Sequence, residues 1–205
     1  MLNEASEGDI VAGSLAEPAR FGILFDRYYA AIYAYLRRRV GADEAEDLAA
    51  ETFVRAFRTR GRFDVARPSA RPWLFGIATN LLLHHWRRER RRLQAYARTG
   101  IDPVVSPADE IDERVDATAA GPVLARALAS LSVGERDVLL LHAWAELSDA
   151  EIAEALGTAL GTVHSRLSRA RQRIREALAP IGKEEGATPS DETRTRRREW
   201  TNSSS

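Results

Sequence analysis

Apolar residues recur along this chain at three- and four-residue steps, and strand-like alternation is scarce, which predicts an all-α protein. The most informative stretch runs from Leu147 to Leu178, LSDAEIAEALGTALGTVHSRLSRARQRIREAL. Ser148 and Glu151 have the spacing of a capping box, so a helix is expected to start there, with Ile152, Ala153 and Leu156 on its apolar face. Gly157 should end that helix, because glycine takes the left-handed cap conformation without steric cost. A second helix is expected from about Leu160, with Val163, Leu167, Ala170, Ile174 and Leu178 as one buried stripe. Its other faces carry Thr162, His164, Ser165, Arg166, Arg169, Arg171 and Arg173. A short helix, a glycine turn and a longer helix with a basic outer surface read as a helix-turn-helix, whose second helix would enter a DNA major groove. A solvated basic face gives the same pattern, so the rest of the chain has to decide.

Residues 1–16 are polar and read as a loose leader. From about Glu17, Phe21, Leu24, Phe25, Tyr28, Ile32, Tyr35 and Leu36 predict a helix closed by Arg37, Arg38 and Arg39, whose charges suit a helix C-terminus. Gly41 interrupts the pattern, and Asp43 with Glu46 predicts the start of the next helix. Its inward face carries Ala45, Leu48, Ala49, Thr52, Phe53, Ala56 and Phe57, and its outer face Glu44, Asp47, Glu51 and Arg55. After a loop, Ser69 is the candidate N-cap of a long helix through Trp73, Leu74, Ile77, Ala78, Leu81, Leu82, His85 and Trp86, ending in Arg87, Arg88, Glu89, Arg90, Arg91 and Arg92. Arginines can hold phosphates without reading sequence, and the interleaved Asn80, His84 and tryptophans can meet unpaired bases, although Trp73 reads better as core. Residues 96–121 turn acidic and read as a flexible linker. Pro122 opens a second helical unit with Val123, Leu124, Ala127, Leu128 and Leu131 inward, and Ser132 with Glu135 forms another expected capping box. Residues 181–205 lack apolar periodicity and read as a disordered tail.

Composition narrows the chemistry. The 205 residues carry 30 basic and 30 acidic side chains, so a nucleic-acid binder of this composition must segregate its charges. Cysteine is absent, which excludes disulfides and cysteine-held zinc and fits a reducing cytoplasm. No apolar run is long enough for membrane insertion, and the acidic N-terminus lacks a signal pattern. His84 and His85 point to different sides of one helix, while His142 and His164 are isolated, so none is assigned to a metal. Neither catalytic residues nor a cofactor site is expected.

Three motifs occur in order. ADEAEDLAAETFVRAFR is similar to the polymerase-binding helix of the extracytoplasmic-function (ECF) sigma factors of bacterial RNA polymerase. RPWLFGIATNLLLHHWRRERRR resembles that family's helix for opening and reading the promoter −10 element, and the segment from Leu131 to Leu178 resembles its −35 reading domain. The resemblance implies two small helical domains, residues 17–95 and 122–180, the second a helix-turn-helix. It implies core RNA polymerase and promoter DNA as partners, with an anti-sigma factor as a further candidate. By resemblance, Glu44, Asp47, Leu48, Glu51 and Phe53 would dock on polymerase. Asn80, His84, Arg87, Arg88, Arg90 and Arg91 would hold the −10 region, with Asn80 on the non-template strand. Thr162, His164, Ser165, Arg166, Arg169 and Arg173 would face the −35 element, with Gly161 and Thr162 at a phosphate-favouring helix start. His164 stands where the family usually has lysine or arginine, and the turn Gly157-Thr158-Ala159-Leu160 lacks the usual proline or serine. The rival reading is a stand-alone helix-turn-helix regulator, which would bind duplex DNA tightly without polymerase.

Overall fold

The computed structural model describes residues 6–98 and 120–179. Among them lie eight α-helices and no strand: α1 (Glu7–Ala16), α2 (Gly22–Val40), α3 (Ala42–Thr59), α4 (Arg71–Arg98), α5 (Ala120–Ser130), α6 (Val133–Trp144), α7 (Asp149–Leu156) and α8 (Leu160–Leu178). The first four form one unit around Leu24, Ile32, Leu36, Ala49, Leu74 and Leu82, all fully buried. In the second unit Val138, Leu141, Ile152, Val163 and Ala170 are fully buried, so the apolar stripe of α8 faces inward as its spacing predicts.

Local chemistry explains most boundaries. Ser132 and Ser148 each accept from the backbone N–H three residues on, and Glu135 and Glu151 reach back, completing both expected capping boxes. Gly157 is left-handed at φ 58°, and Thr158 N donates to the Ala153 carbonyl at 2.9 Å, which closes α7 and turns the chain into α8.

Three expectations need correction. Residues 7–16 are not a loose leader: α1 has its own capping box at Ser6, and Val11 is fully buried. The helix expected from Glu17 is preceded by a 3-10 turn at Pro18–Phe21 and starts at Gly22. Asp43 does not cap α3, which starts one residue earlier, because Gly41 at φ 84° turns the chain directly from α2. The greater part of the expected linker and all of the expected tail lie outside the described residues, although α4 continues to Arg98.

The two units pack together. Gly76 of α4 sits so close to α7 that a Cβ there would lie 2.5 Å from the Ala155 carbonyl oxygen. The most deeply buried ion pair between the units is Arg39 Nη2 to Asp137 Oδ1 at 2.7 Å, with both side chains at most 4% exposed. Arg39 also donates to Tyr35 OH at 2.7 Å and lies over the Trp86 ring at 5.1 Å. Tyr35 OH and Thr79 Oγ1 are 3.1 Å apart, so α2, α4 and α6 share one buried polar network. Burial pushes the Tyr35 phenol up, so it stays neutral. Burial opposes the charge on Arg39, but Tyr35 and Asp137 outweigh it. Around this centre Arg38 lies over Trp144, Arg71 donates to the Ala145 carbonyl and Arg67 pairs with Glu154.

Candidate nucleic-acid interface

Two helices carry the expected DNA contacts, and the structure treats their charges differently. On α4, Asn80, His84, Arg87, Arg88, Arg90 and Arg91 are all exposed. Asn80, His84, Arg87 and Arg91 follow helical three- and four-residue steps and so share one face. Among the described residues, no acid pairs with Arg87, Arg88 or Arg90, while Arg91 donates to the carbonyl of Arg87 at 3.2 Å. The side of α4 turned inward holds the fold: Thr79 is 1% exposed, and Trp73 packs on Phe63 with centroids 5.0 Å apart. Trp86 is half-buried under Arg39.

On α8 the cations lean on their own unit. Arg169 Nε is 3.0 Å from Glu135 Oε1, and Arg173 Nη1 is 3.5 Å from Glu135 Oε2. Arg173 also donates to the Ser130 carbonyl at 3.2 Å. Glu135 is buried, and the Ser132 hydroxyl and N–H, with Arg169 and Arg173, hold its carboxyl below the usual range. Arg166 is half-buried over Gly134, where an added Cβ would come within 2.9 Å of its Cζ. His164 Nε2 is 3.2 Å from Asp149 Oδ2 at the start of α7. Arg171 donates to His142 Nε2 at 2.8 Å, so that ring is held as an acceptor at that nitrogen. Ser165 is exposed and donates to the Thr162 carbonyl at 3.0 Å, while Thr162 is half-buried. Gly161 is exposed at the start of the helix.

The acidic face on α3 is separate. Glu44, Asp47 and Glu51 are exposed, lie at helical spacing, and form no ion pair among the described residues. Leu48 is half-buried at their centre, but Phe53 is 5% exposed and packs on Phe25 with centroids 4.9 Å apart, so it belongs to the core. No His, Cys, Asp or Glu cluster among the described residues could hold a metal ion, and no helix among them is long and apolar enough to cross a membrane.

Sequence reasoning missed the Arg39–Asp137 pair. The run Arg37-Arg38-Arg39 reads as three equivalent charges at a helix end, and nothing local separates the one that turns inward. Helical phase was the available signal, since Arg39 lies four residues beyond the inward Tyr35.

Family comparison agrees with this geometry. The family model for Sigma-70 region 2 matches residues 24–92, which cover most of α2, all of α3 and most of α4. That for Sigma-70 region 4 matches residues 123–174, from α5 into α8. The chain is 35% identical over 176 residues to the ECF RNA polymerase sigma factor SigL of Mycobacterium tuberculosis, covering 84% of this chain and 97% of that one. It is 31% identical over 163 residues to the RNA polymerase sigma factor YlaC of Bacillus subtilis, covering 79% and 94%. Among solved structures, the sigma factor RpoE in complex with the anti-sigma factor NepR from Bartonella quintana aligns with a TM-score of 0.60 at 26% identity, over 78% of this chain and 98% of that one. CnrH in complex with the cytosolic domain of CnrY aligns with the same TM-score and identity, over 84% and 97%.

Proposed function

Because this chain belongs to the ECF sigma factors of RNA polymerase, we propose that its two exposed cationic helices divide promoter recognition, α4 holding the opened −10 region and α8 the duplex −35 element. The observation that carries this reading is the pairing of a solvent-facing arginine cluster on α4 with a helix-turn-helix in the same chain. Arg87, Arg88, Arg90 and Arg91 hold phosphates, Asn80 and His84 meet unpaired bases, and an unstacked base costs a few kcal/mol that stacking and backbone contacts offset. Arg166 and Ser165 meet base edges or phosphates in the major groove, and Arg169 and Arg173 do so from the scaffold that Glu135 provides. The unpaired acids Glu44, Asp47 and Glu51, around Leu48, dock on a basic surface of core polymerase. The chemistry of RNA synthesis belongs to polymerase, so the chain is not itself an enzyme and acts in the cytoplasm, where polymerase works.

The packed arrangement is the state before promoter binding. The −35 and −10 elements are separate stretches of the promoter, set apart by ~3.4 Å for every intervening base pair, whereas here α4 of one unit lies directly against α7 of the other. The two units therefore separate on the promoter, and the Arg39–Asp137 contact opens. The complex of the structural relative RpoE with the anti-sigma factor NepR supports an anti-sigma factor as a partner that controls this step.

A gel-shift titration of promoter DNA tests the division. The chain alone is expected to bind duplex DNA weakly and to give a tight complex once core polymerase is added. Tight binding without polymerase would favour the stand-alone regulator, a reading that leaves the first unit without a task.

A further inference from the structure

The helix α1 precedes the residues matched to region 2, yet its first residue is buried. Glu7 is 8% exposed, and its carboxylate is fully engaged. Oε1 accepts from Arg27 Nη1 and Tyr28 OH, each at 2.6 Å. Oε2 accepts from Ser69 Oγ at 3.0 Å and from the Ala70 N–H at 2.6 Å. Burial pushes the carboxyl up, but the bonds from Tyr28, Ala70, Arg27 and Ser69 together hold it below the usual range, so it stays ionised. Ala70 immediately precedes α4, and Ser69 Oγ accepts from the Arg71 N–H at 3.1 Å. A carboxylate 63 residues upstream thus takes the Ala70 N–H, beside the local Ser69 acceptor, and complements the dipole of α4.

The neighbouring residue adds a steric contact. A Cβ on Gly8 would lie 2.2 Å from the Val65 carbonyl oxygen, so only glycine lets α1 lie this close to the segment leading into α4. At the other end of α1, Arg60 Nε donates to the Ser14 carbonyl at 3.4 Å. The helix therefore spans the segment between α3 and α4 and touches both of its ends.

We propose that Glu7 is a positioning residue for promoter opening: its carboxylate fixes the first turn of α4 and the 63–70 segment in the pose from which α4 holds unpaired −10 bases. This rests on the reading of α4 given above. Asn80 stands ten residues beyond Ala70, about 15 Å along the helix, so a start free to fray or tilt displaces the base-contacting face relative to the core. Glu7 itself touches no DNA. Arg27 and Tyr28 anchor it from α2, and Ser69 and Ala70 transmit the constraint.

The test uses full-length chain with core polymerase, on a duplex promoter fragment selected by the wild-type holoenzyme and on the same fragment with a mismatched bubble across −10. Permanganate reactivity reads opening of the duplex, the rate of short-transcript synthesis is compared on duplex and bubble, and core binding is measured on the same samples. Glu7→Ala is expected to bind core normally, open the duplex about tenfold more slowly or worse, and recover on the bubble. Glu17→Ala, which removes an exposed acid just beyond the other end of α1 and touches none of the Glu7 contacts, is expected to open the duplex within about twofold of wild type. Normal duplex opening by Glu7→Ala would overturn the proposal, as would an equal loss on duplex and bubble. If Glu7→Ala fails to bind core, Ser69→Ala decides: duplex opening slowed with the bubble spared supports the role, and unchanged opening overturns it. If the wild-type holoenzyme opens no promoter at all, the reading of α4 fails instead.

Discussion

On the proposed division the two basic helices meet different partners, α4 a single strand and α8 a duplex. On α4, Arg87, Arg88 and Arg90 project into solvent with no acid partner among the described residues. On α8, Arg169 and Arg173 share Glu135, Arg171 holds His142, and His164 faces Asp149. A single strand has no fixed shape, so mobile, unpaired charges can follow its backbone. A duplex is regular, so cations held by neighbouring acids keep a fixed geometry, at the cost of part of their charge. The pairing also weakens the second unit as a phosphate binder, in keeping with the weak binding of duplex DNA proposed for the chain without polymerase.

Separating the helices gives the largest expected effect. Asp137→Ala leaves the Arg39 charge buried without its partner, and chemical denaturation is expected to show a loss of about 3–5 kcal/mol. A loss under 1 kcal/mol would mean that the units already sit apart in solution. Next comes the proposed duplex contact: Arg166→Ala is expected to weaken −35 binding by the holoenzyme by about 1–3 kcal/mol at fixed salt, with little effect on a template that carries only the −10 element.

Glu135→Gln tests the pairing itself. It weakens the hold on Arg169 and Arg173 and disturbs the Ser132 box, so stability should fall by about 1 kcal/mol while non-specific DNA binding becomes more salt-dependent. The pH dependence has a definite sign. Because the Glu135 carboxyl sits below its ordinary value, its contribution is complete above that value and disappears as pH falls through the folded one. The gap between wild type and Glu135→Gln should therefore close in acid and persist at neutral pH. The smallest effect belongs to single arginines on α4. Arg88→Ala is expected to reduce the slope of log binding constant against log salt by about 0.7–0.9, leaving base preference unchanged. A change in base preference would put Arg88 on a base rather than a phosphate.

How much of this was legible in the sequence depended on distance along the chain. The boxes Ser132–Glu135 and Ser148–Glu151, the Gly157 turn and the Val163, Leu167 and Ala170 part of the α8 stripe follow from residues within a turn or two of one another and formed as read, whereas Ile174 and Leu178 at the end of that stripe are only half-buried. The acidic face of α3 was legible for the same reason, whereas Phe53 reads from sequence both as core and as contact, and only its burial against Phe25 puts it in the core. The leader was misread because Glu7 and Asp9 look like solvent-facing charges. The four donors that make a buried Glu7 tolerable come from α2 and the start of α4. Arg39 and Asp137 stand 98 residues apart, beyond any local pattern. The pairing of Arg169 and Arg173 with Glu135 was hidden likewise, so these arginines read simply as outward charges.

The most direct test of the central claim is run-off transcription by core polymerase stripped of sigma, with this chain supplied and a genomic promoter library as template. The account predicts discrete transcripts from a limited set of start sites that share paired upstream and downstream elements, absent when the chain is omitted. Transcripts with the same scattered starts whether or not the chain is present would contradict it.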